Sequence, residues 1–225
     1  AAYEGSGTFK LITNTNDITS GGYYVFVGAP SWASTAMGTG RMTAASTAAL
    51  STYAVSYASG NIVNPAAGIV WRIDATSSSW SIYSEAASFY VGQPNANGVR
   101  TSTSVAGDDY RWSFASTASS AFDIRNVATA ARMLRYNSGS PRFACYSTGQ
   151  NPIRLYKMQA ATPSITLSGS TTAFSTPVGT PSAAQSLTVS GSDLSGDITV
   201  SAPTGFQVSK SESSGYADSI TFTPS

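Results

Sequence analysis

The sequence contains no histidine and a single cysteine, Cys145, among its 225 residues. Without histidine there is no His-dependent nucleophile triad, no histidine metal ligand and no general base of the usual neutral-pH kind. One cysteine forms no intrachain disulfide and excludes cysteine-rich zinc sites, so we expect it to fill core space as a small hydrophobe. The sequence predicts no catalytic residue, no metal and no cofactor.

Charge is also scarce, since Asp, Glu, Lys and Arg make up 10% of the chain, against roughly 25% in an average soluble protein. The net charge of +1 gives no reason to expect nucleic acid or an anionic membrane as a partner. No apolar run approaches the ~20 residues of a transmembrane helix, so we expect no membrane span. The hydroxyl-rich composition is typical of secreted bacterial all-β modules, and the start, AAYE, is compatible with signal-peptide cleavage.

Two parts of the chain differ in composition. Residues 1–159 carry 11 Lys and Arg against 7 Asp and Glu, whereas residues 160–225 carry 1 against 4. The segment Gln159–Pro163 between them consists of small residues and a Thr-Pro pair, which is typical of a linker. We therefore predict two domains, 1–159 and 160–225.

Short runs of aromatic and β-branched residues, which favour strands, recur in the first part at a nearly fixed spacing. The spacings are 41 positions from Trp71 to Trp112, 42 from Trp80 to Phe122 and 43 from Val91 to Leu134. They indicate an internal repeat of four short strands, and the recurring Trp71 and Trp112 are assigned to the core together with Trp80.

A diverged third copy of the repeat fits Tyr24–Phe26, Ala36–Met37 and Tyr53–Val63, and it ends at Trp71. Three copies of four strands predict a β-trefoil, which is a closed barrel capped by hairpins. The Ala-rich run Thr43–Leu50 has no helical periodicity and is interpreted as loop or strand edge.

The repeat resembles that of the ricin-type β-trefoil lectins. The resemblance lies in the order of a W-x-I run, an aromatic-x-I-x-N run and a strand with Leu or Val. The match is best in Phe122–Asn126 followed by Met133–Leu134. That family usually has Gln two positions before the closing Trp. Here the corresponding residues are Ile69 and Tyr110, and the last copy ends at Leu155 without a Trp. The resemblance implies a lectin-like β-trefoil.

Longer stretches carry two further resemblances. The series FKLIT, YYVFVG, LRYN and RFACYSTGQNPIRLYK, within about Phe9 to Met158, resembles an accessory module appended to secreted bacterial nucleases and polysaccharide-degrading enzymes. It implies a module that accompanies varied catalytic domains and is not itself catalytic. The run Thr180–Ser209 resembles a repeated immunoglobulin-like (Ig-like) module of secreted bacterial surface proteins.

The second part alternates apolar and polar residues in five predicted strand cores: Ile165/Leu167, Leu187/Val189, Ile198/Val200, Phe206/Val208 and Ile220/Phe222. This pattern predicts an antiparallel Ig-like β-sandwich. Such a sandwich takes about 100 residues, so we expect an incomplete one. Either the parent protein continues or another chain supplies the missing strand.

Paired carboxylates, aromatic rings and amides are the remaining candidates for chemistry. Asp108 and Asp109 follow Gly107, and the pair is interpreted as part of a turn stabilised by side-chain hydrogen bonds to the backbone. Calcium binding and acid–base catalysis are the alternative roles for the two carboxylates. Trp32 lies in a Pro-Ser-Trp-Ala-Ser loop, where its exposed ring could stack on a sugar. Tyrosines and asparagines of the repeats could line shallow lectin-type pockets or be ordinary surface residues. The predicted ligand-binding residues are Trp32, Tyr90, Asn95, Asn126, Tyr136, Asn137 and Tyr146.

These features predict an all-β chain, with a β-trefoil-like domain followed by an incomplete immunoglobulin-like β-sandwich. The predicted function is that of a non-catalytic, extracellular module of a larger secreted or cell-surface bacterial protein, with a polysaccharide or glycan as its ligand. The alternative is a structural subunit of a surface fibre or adhesin. Its Ig-like tail would then pair with a strand from a neighbouring copy or from another Ig-like module.

Overall fold

The computed structural model describes residues 2–29, 35–44 and 47–223. The chain forms two compact units, residues 1–159 and 160–225. The strands of the first unit are β1 (Thr8–Ile12), β2 (Gly22–Gly28), β3 (Thr35–Ala44), β4 (Thr47–Ala54), β5 (Ile62–Val63), β6 (Val70–Thr76), β7 (Ser79–Ser84), β8 (Phe89–Gly92), β9 (Arg100–Ser102), β10 (Trp112–Ser116), β11 (Phe122–Asn126), β12 (Met133–Asn137), β13 (Arg142–Tyr146) and β14 (Ile153–Met158). The helices of the described residues are single 3-10 turns at Thr15–Asp17, Ala67–Ile69 and Asp108–Tyr110. The predicted all-β class is confirmed.

Six strands of the first unit close into a barrel. Going round the ring, β14 pairs with β2, β2 with β6, β6 with β7, β7 with β10, β10 with β11, and β11 with β14. All of these pairings are antiparallel. Two junctions rest on one residue pair each, Trp80 with Trp112 and Phe122 with Ile153. Closure removes the exposed edges that an open sheet of this size would present.

Three hairpins attach to this barrel, each made from strands of one repeat. They are β3–β4, β8–β9 and β12–β13, which pair with barrel strands β2, β7 and β11 respectively. Each repeat therefore contributes two barrel strands and one hairpin. The predicted threefold repeat of four strands is confirmed.

Two details of the first repeat were predicted wrongly. Thr43–Leu50, interpreted as loop or strand edge, lies mostly in the β3–β4 hairpin, because small Ala, Ser and Thr residues give no apolar periodicity although their backbones pair across strands. Tyr53–Val63 is not a repeat strand, since β4 ends at Ala54 and the short β5 pairs instead with β1. Strand β1, which also pairs with β14, is an addition outside the threefold pattern.

The core of the first unit is built on equivalent positions of the repeats. Trp71 and Trp112 are fully buried, and their indole N–H groups donate to the backbone carbonyls of Met37 at 2.8 Å and Val91 at 3.0 Å. Each bond satisfies a polar group that burial would otherwise leave unpaired. Cys145 lies in the same apolar cluster, and burial raises the pKa of its thiol, as expected for a core residue.

The second unit contains β15 (Ser164–Ser168), β16 (Thr188–Ser192), β17 (Ile198–Ser201) and β18 (Ser219–Phe222). They form two separate two-stranded sheets, β15–β16 and β17–β18. The predicted strand at Phe206–Val208 is reduced to one bridge between Val208 and Ala217. Apolar side chains remain exposed here, including Ile165 and Leu167 at 60% and 62%. The Ig-like sandwich stays a prediction.

Candidate functional site

Four large side chains stand in one cross-strand row on the outside of the barrel. Strand register places Tyr23 beside Arg72, Arg72 beside Tyr83, and Tyr83 beside Tyr90, on β2, β6, β7 and β8. Successive residues of a strand point to opposite faces. The neighbours of the row, such as Trp71, are in the core, while the four residues themselves are half-buried. We call these four residues the aromatic row.

The members of the aromatic row contact one another. The rings of Tyr83 and Tyr90 have centroids 4.6 Å apart and are tilted by 42°. The guanidinium carbon of Arg72 lies 4.9 Å from the centroid of the Tyr83 ring, which is within cation–π range. These contacts hold flat, partly exposed surfaces in fixed positions.

Two carboxylates hold Arg72 in place from either side. Its Nε donates to Asp74 Oδ2 at 2.8 Å, and its Nη1 donates to Glu85 Oε1 at 2.7 Å. Glu85 also accepts from the Tyr23 hydroxyl at 3.0 Å and from the backbone N–H of Tyr3 at 3.2 Å. The guanidinium therefore already has two anionic partners within the protein.

The same contacts shift the ionisation of the charged groups. Burial raises the pKa of Glu85, but the hydrogen bonds from Tyr3, Tyr23 and Arg72 and the positive charge of Arg72 outweigh it, so the pKa lies below its usual value. Burial lowers the pKa of Arg72, and the hydrogen bonds and charges of Asp74 and Glu85 more than reverse this effect. The site therefore has one cation between two carboxylates.

A small pocket with a volume of about 190 Å³ adjoins the Tyr23 end of the row. It is lined by Ala2, Tyr3, Tyr23, Ala67, Val70, Glu85 and Ala86. The Tyr3 hydroxyl donates to the carbonyl of Pro65 at 2.6 Å, and its ring packs edge-on against buried Phe9. These contacts fix one wall of the pocket.

The residues predicted from sequence to bind a ligand are spread over the first unit. Tyr90 belongs to the aromatic row, and Trp32 lies outside the described residues. Asn95 is exposed, and its side-chain oxygen accepts from the Thr129 hydroxyl at 3.4 Å. Its backbone carbonyl accepts from Arg132 Nη2 at 3.2 Å. The structure does not bring Asn95 into the row.

Asn126 is 1% exposed at the end of β11. Its Nδ2 donates to the carbonyls of Asp109 at 2.8 Å and Arg111 at 3.1 Å, while its Oδ1 accepts from the backbone N–H of Thr129. The side chain therefore ties together the segments before β10 and after β11. Its predicted binding role is untested, but its polar atoms already have protein partners.

The three other predicted residues lie together on the β12–β13 hairpin. Tyr136 and Tyr146 are 4% and 5% exposed, and Tyr136 packs against Phe143 with ring centroids 5.0 Å apart. Asn137 is half-buried; its Nδ2 donates to the Tyr146 hydroxyl oxygen at 3.1 Å, and its Oδ1 accepts from the Ser140 N–H. Asn137 is the most accessible of the three.

Sequence reasoning did not select Tyr23, Arg72, Tyr83 or Glu85. A signal was present, because Thr76 and Ser79 pair across a two-residue turn and this register places Arg72 opposite Tyr83. In the corresponding row of the next repeat, Ser113, Arg125 and Met133 occupy the positions of Arg72, Tyr83 and Tyr90. Comparing only the core positions that the internal repeats share does not detect surface residues that differ between the copies.

The Asp108–Asp109 pair opens a 3-10 turn, and its carboxylates contact cations of the protein. Asp109 accepts from Arg100 Nη2 at 2.6 Å and from Gln93 Nε2 at 2.7 Å, and Asp108 accepts from Arg111 at 2.9 Å.

Within residues 2–29, 35–44 and 47–223 there is no group of three or more acidic or cysteine side chains suited to a metal ion. None of the helices in this described part is long and apolar enough to cross a membrane.

No protein-family model and no curated protein matches the chain. Among solved structures, the apo BEL beta-trefoil matches with a TM-score of 0.50 at 13% identity, covering 66% of this chain and all of that chain, 100%. The first unit has a β-trefoil-like fold. ThreeFoil, a designed 3-fold symmetric protein, matches with a TM-score of 0.46 at 15% identity over 61% of this chain and 99% of its own.

Some matching structures are much longer than the matched region. The chain spans 19% of a mosquitocidal holotoxin, with a TM-score of 0.48 at 12% identity over 67% of this chain. It spans 33% of a GlcNAcα1-4Gal-releasing endo-β-galactosidase from Clostridium perfringens, with a TM-score of 0.48 at 7% identity over 61% of this chain. At such identities the likeness concerns the fold alone.

Proposed function

We propose that this chain is a non-catalytic, extracellular glycan-binding module of a larger secreted or cell-surface bacterial protein. The observation that carries the proposal is the aromatic row of Tyr23, Arg72, Tyr83 and Tyr90 across four neighbouring strands. The lack of histidine throughout the sequence supports a non-catalytic role. The Ig-like part, residues 160–225, acts in this proposal as a partial spacer domain.

The chemistry of the row suits a neutral polysaccharide. Sugar rings present C–H groups that pack on the faces of aromatic rings, while their hydroxyls need hydrogen-bond partners. Tyr83 and Tyr90 supply partly exposed rings, and Asp74 and Glu85, which contact Arg72 of the row, supply acceptors. Neighbouring strands lie ~4.8 Å apart, so the row extends over roughly 14 Å, enough to contact a short oligosaccharide. Asn95 and Asn137 are retained as predicted polar contacts.

Retention on insoluble polysaccharides, followed by a glycan array, tests this function directly. The double substitution Tyr83→Ala with Tyr90→Ala removes both stacked rings and should weaken binding at least about tenfold, equivalent to ~1.4 kcal/mol. Tyr216→Ala, which removes a tyrosine of the second unit that is 42% exposed, is the matched control and should bind like the parent. Failure of the parent chain to bind any polysaccharide or array glycan would refute the proposal.

The second unit favours a second candidate function, that of a fibre or adhesin subunit. Its described strands form two separate two-stranded sheets, and apolar residues of this unit such as Leu167 and Phe206 are exposed, at 62% and 47%. Two-stranded sheets are marginal alone, and a strand from a neighbouring copy or Ig-like module would extend them. Light scattering and electron microscopy decide this case: filaments or large oligomers support it, and a monomer at micromolar concentration argues against it.

A further inference from the structure

The pocket beside the aromatic row combines small apolar walls with one anionic acceptor. Ala67, Val70 and Ala86 present methyl groups, and Glu85 contributes its carboxylate. The volume of about 190 Å³ is below the roughly 300–1,000 Å³ of pockets that enclose drug-sized ligands. The pocket therefore suits a substituent of a larger ligand whose main contacts lie elsewhere.

Glu85 retains capacity to accept another hydrogen bond. A carboxylate offers about four lone-pair sites, and three donor groups share the two Glu85 oxygens: the Tyr3 N–H, Arg72 Nη1, and the Tyr23 hydroxyl, which lies 3.0 and 3.1 Å from the two oxygens but has one hydrogen to donate. A further N–H or O–H donor of a ligand can use the remaining site. The ligand group should therefore carry a donor next to a small apolar portion.

The charges around the pocket argue against an acidic ligand group. Arg72 is the cation of this cluster, and it already contacts both Asp74 and Glu85 at 2.8 and 2.7 Å. One positive and two negative charges leave the cluster with excess negative charge. A carboxylate or sulfate on a sugar would be repelled, whereas a neutral amide would not.

We propose that this pocket takes the acetamido group of an N-acetylhexosamine unit, so that the aromatic row binds N-acetylated glycans in preference to their hydroxyl counterparts. The methyl group packs against Ala67, Val70 and Ala86, and the amide N–H donates to Glu85. The sugar ring continues onto the Tyr23 end of the row. This inference rests on the proposed glycan-binding function.

Two oligosaccharides of equal length and linkage isolate the acetamido group. Chitohexaose and cellohexaose differ only in carrying an acetamido group or a hydroxyl at each C2. Isothermal titration of the whole chain should give at least tenfold tighter binding to chitohexaose. Equal binding, or a preference for cellohexaose or another glycan without N-acetyl groups, overturns the inference but leaves the proposed function intact. Binding to no glycan at all overturns both.

A substitution that fills the pocket tests whether the preference for N-acetylated glycans arises there. Ala86 is exposed, so Ala86→Leu should fold while occupying the pocket, and it should reduce the tenfold preference to less than about twofold. The neighbouring Ala87→Leu, also exposed and outside the pocket lining, should keep the preference. Thermal unfolding verifies that both variants fold. An unchanged chitohexaose preference in folded Ala86→Leu would place the acetamido group elsewhere and refute the assignment.

Discussion

Glu85 links the barrel surface to the chain segment before β1. It accepts hydrogen bonds from the Tyr3 backbone, the Tyr23 hydroxyl and Arg72. Because these contacts keep its folded-state pKa below the usual 4.5, the ionised carboxylate stabilises the fold above about pH 4.5. That contribution is lost as the pH falls through the lower, folded-state pKa.

We therefore predict that Glu85→Gln lowers the free energy of unfolding at pH 7 by about 1.5–3 kcal/mol, the usual range for hydrogen bonds to charged groups. The difference from the parent should shrink as the pH is lowered below 4.5. Chemical denaturation at pH 7, 4.5 and 3 measures it. Glu4→Gln, which changes an exposed carboxyl, is the control and should follow the parent at each pH. A difference that is constant with pH would contradict the argument.

Single residues also mark how far the sequence could predict the site. Trp71 and Trp112 were assigned correctly to the core, because a nearly equal spacing of large apolar residues reflects equivalent positions in a repeat. The sequence around Asn126 would look the same whether its side chain bound a ligand or, as observed, hydrogen-bonded to backbone groups of the protein. Its hydrogen bonds to the carbonyls of Asp109 and Arg111 depend on the tertiary packing of two separate segments, which hydrophobic periodicity does not predict.

At the scale of elements, the end of β2 is joined closely to the β12–β13 hairpin. A Cβ atom at Gly28 would lie 2.3 Å from the Tyr136 ring. That ring is 4% exposed and packed against Phe143, so it has little room to move away. Glycine is required here by space, since two repeats approach each other at this point.

Gly28→Ala should accordingly destabilise the first unit by about 1–3 kcal/mol, as overpacking of a core does. Gly68→Ala is the matched control, because a Cβ there meets its nearest neighbour, Thr39 Oγ1, at an ordinary 3.7 Å. Differential scanning calorimetry should show a lower unfolding temperature for the first variant and little change for the second. Equal unfolding temperatures of the two variants would mean that the Tyr136 ring can move away from the added methyl group without destabilising the fold.

The strands were predictable where aromatic and β-branched residues cluster, as in β2 and β6. The β3–β4 hairpin was harder, since its alanines, serines and threonines carry no periodic signal and its strands are stabilised by backbone pairing. The Arg72–Tyr83 pair was accessible in principle from the turn between β6 and β7. Its extension to Tyr23 and Tyr90 requires the order of strands round the barrel.

At the scale of the whole molecule, barrel closure is the property that short-range patterns convey least. The junctions of β7 with β10 and of β11 with β14 rest on one pair each, Trp80 with Trp112 and Phe122 with Ile153. The repeat number implied closure, because three copies of four strands fill a trefoil. For the second unit no such repeat constrains the architecture, and its four described strands leave the Ig-like prediction open.

The apolar residues that are buried within the described chain all lie between Phe9 and Tyr156. Cutting the chain after Gln159 removes none of them, so we predict that residues 1–159 fold alone. Their unfolding temperature should stay within about 4 °C of the transition of the first unit in the whole chain, a difference of ~1 kcal/mol for a domain of this size. They should also retain the proposed polysaccharide binding.

A cut after Pro152 provides the control, because it removes β14, which pairs with β1, β2 and β11. That shorter chain should show no cooperative unfolding, since the barrel is left open between β2 and β11 and the open edges expose the core. Circular dichroism melting curves of the two truncations make the comparison. If residues 1–159 also failed to unfold cooperatively, the first unit would need the second to fold, and the predicted boundary at 159 would be wrong.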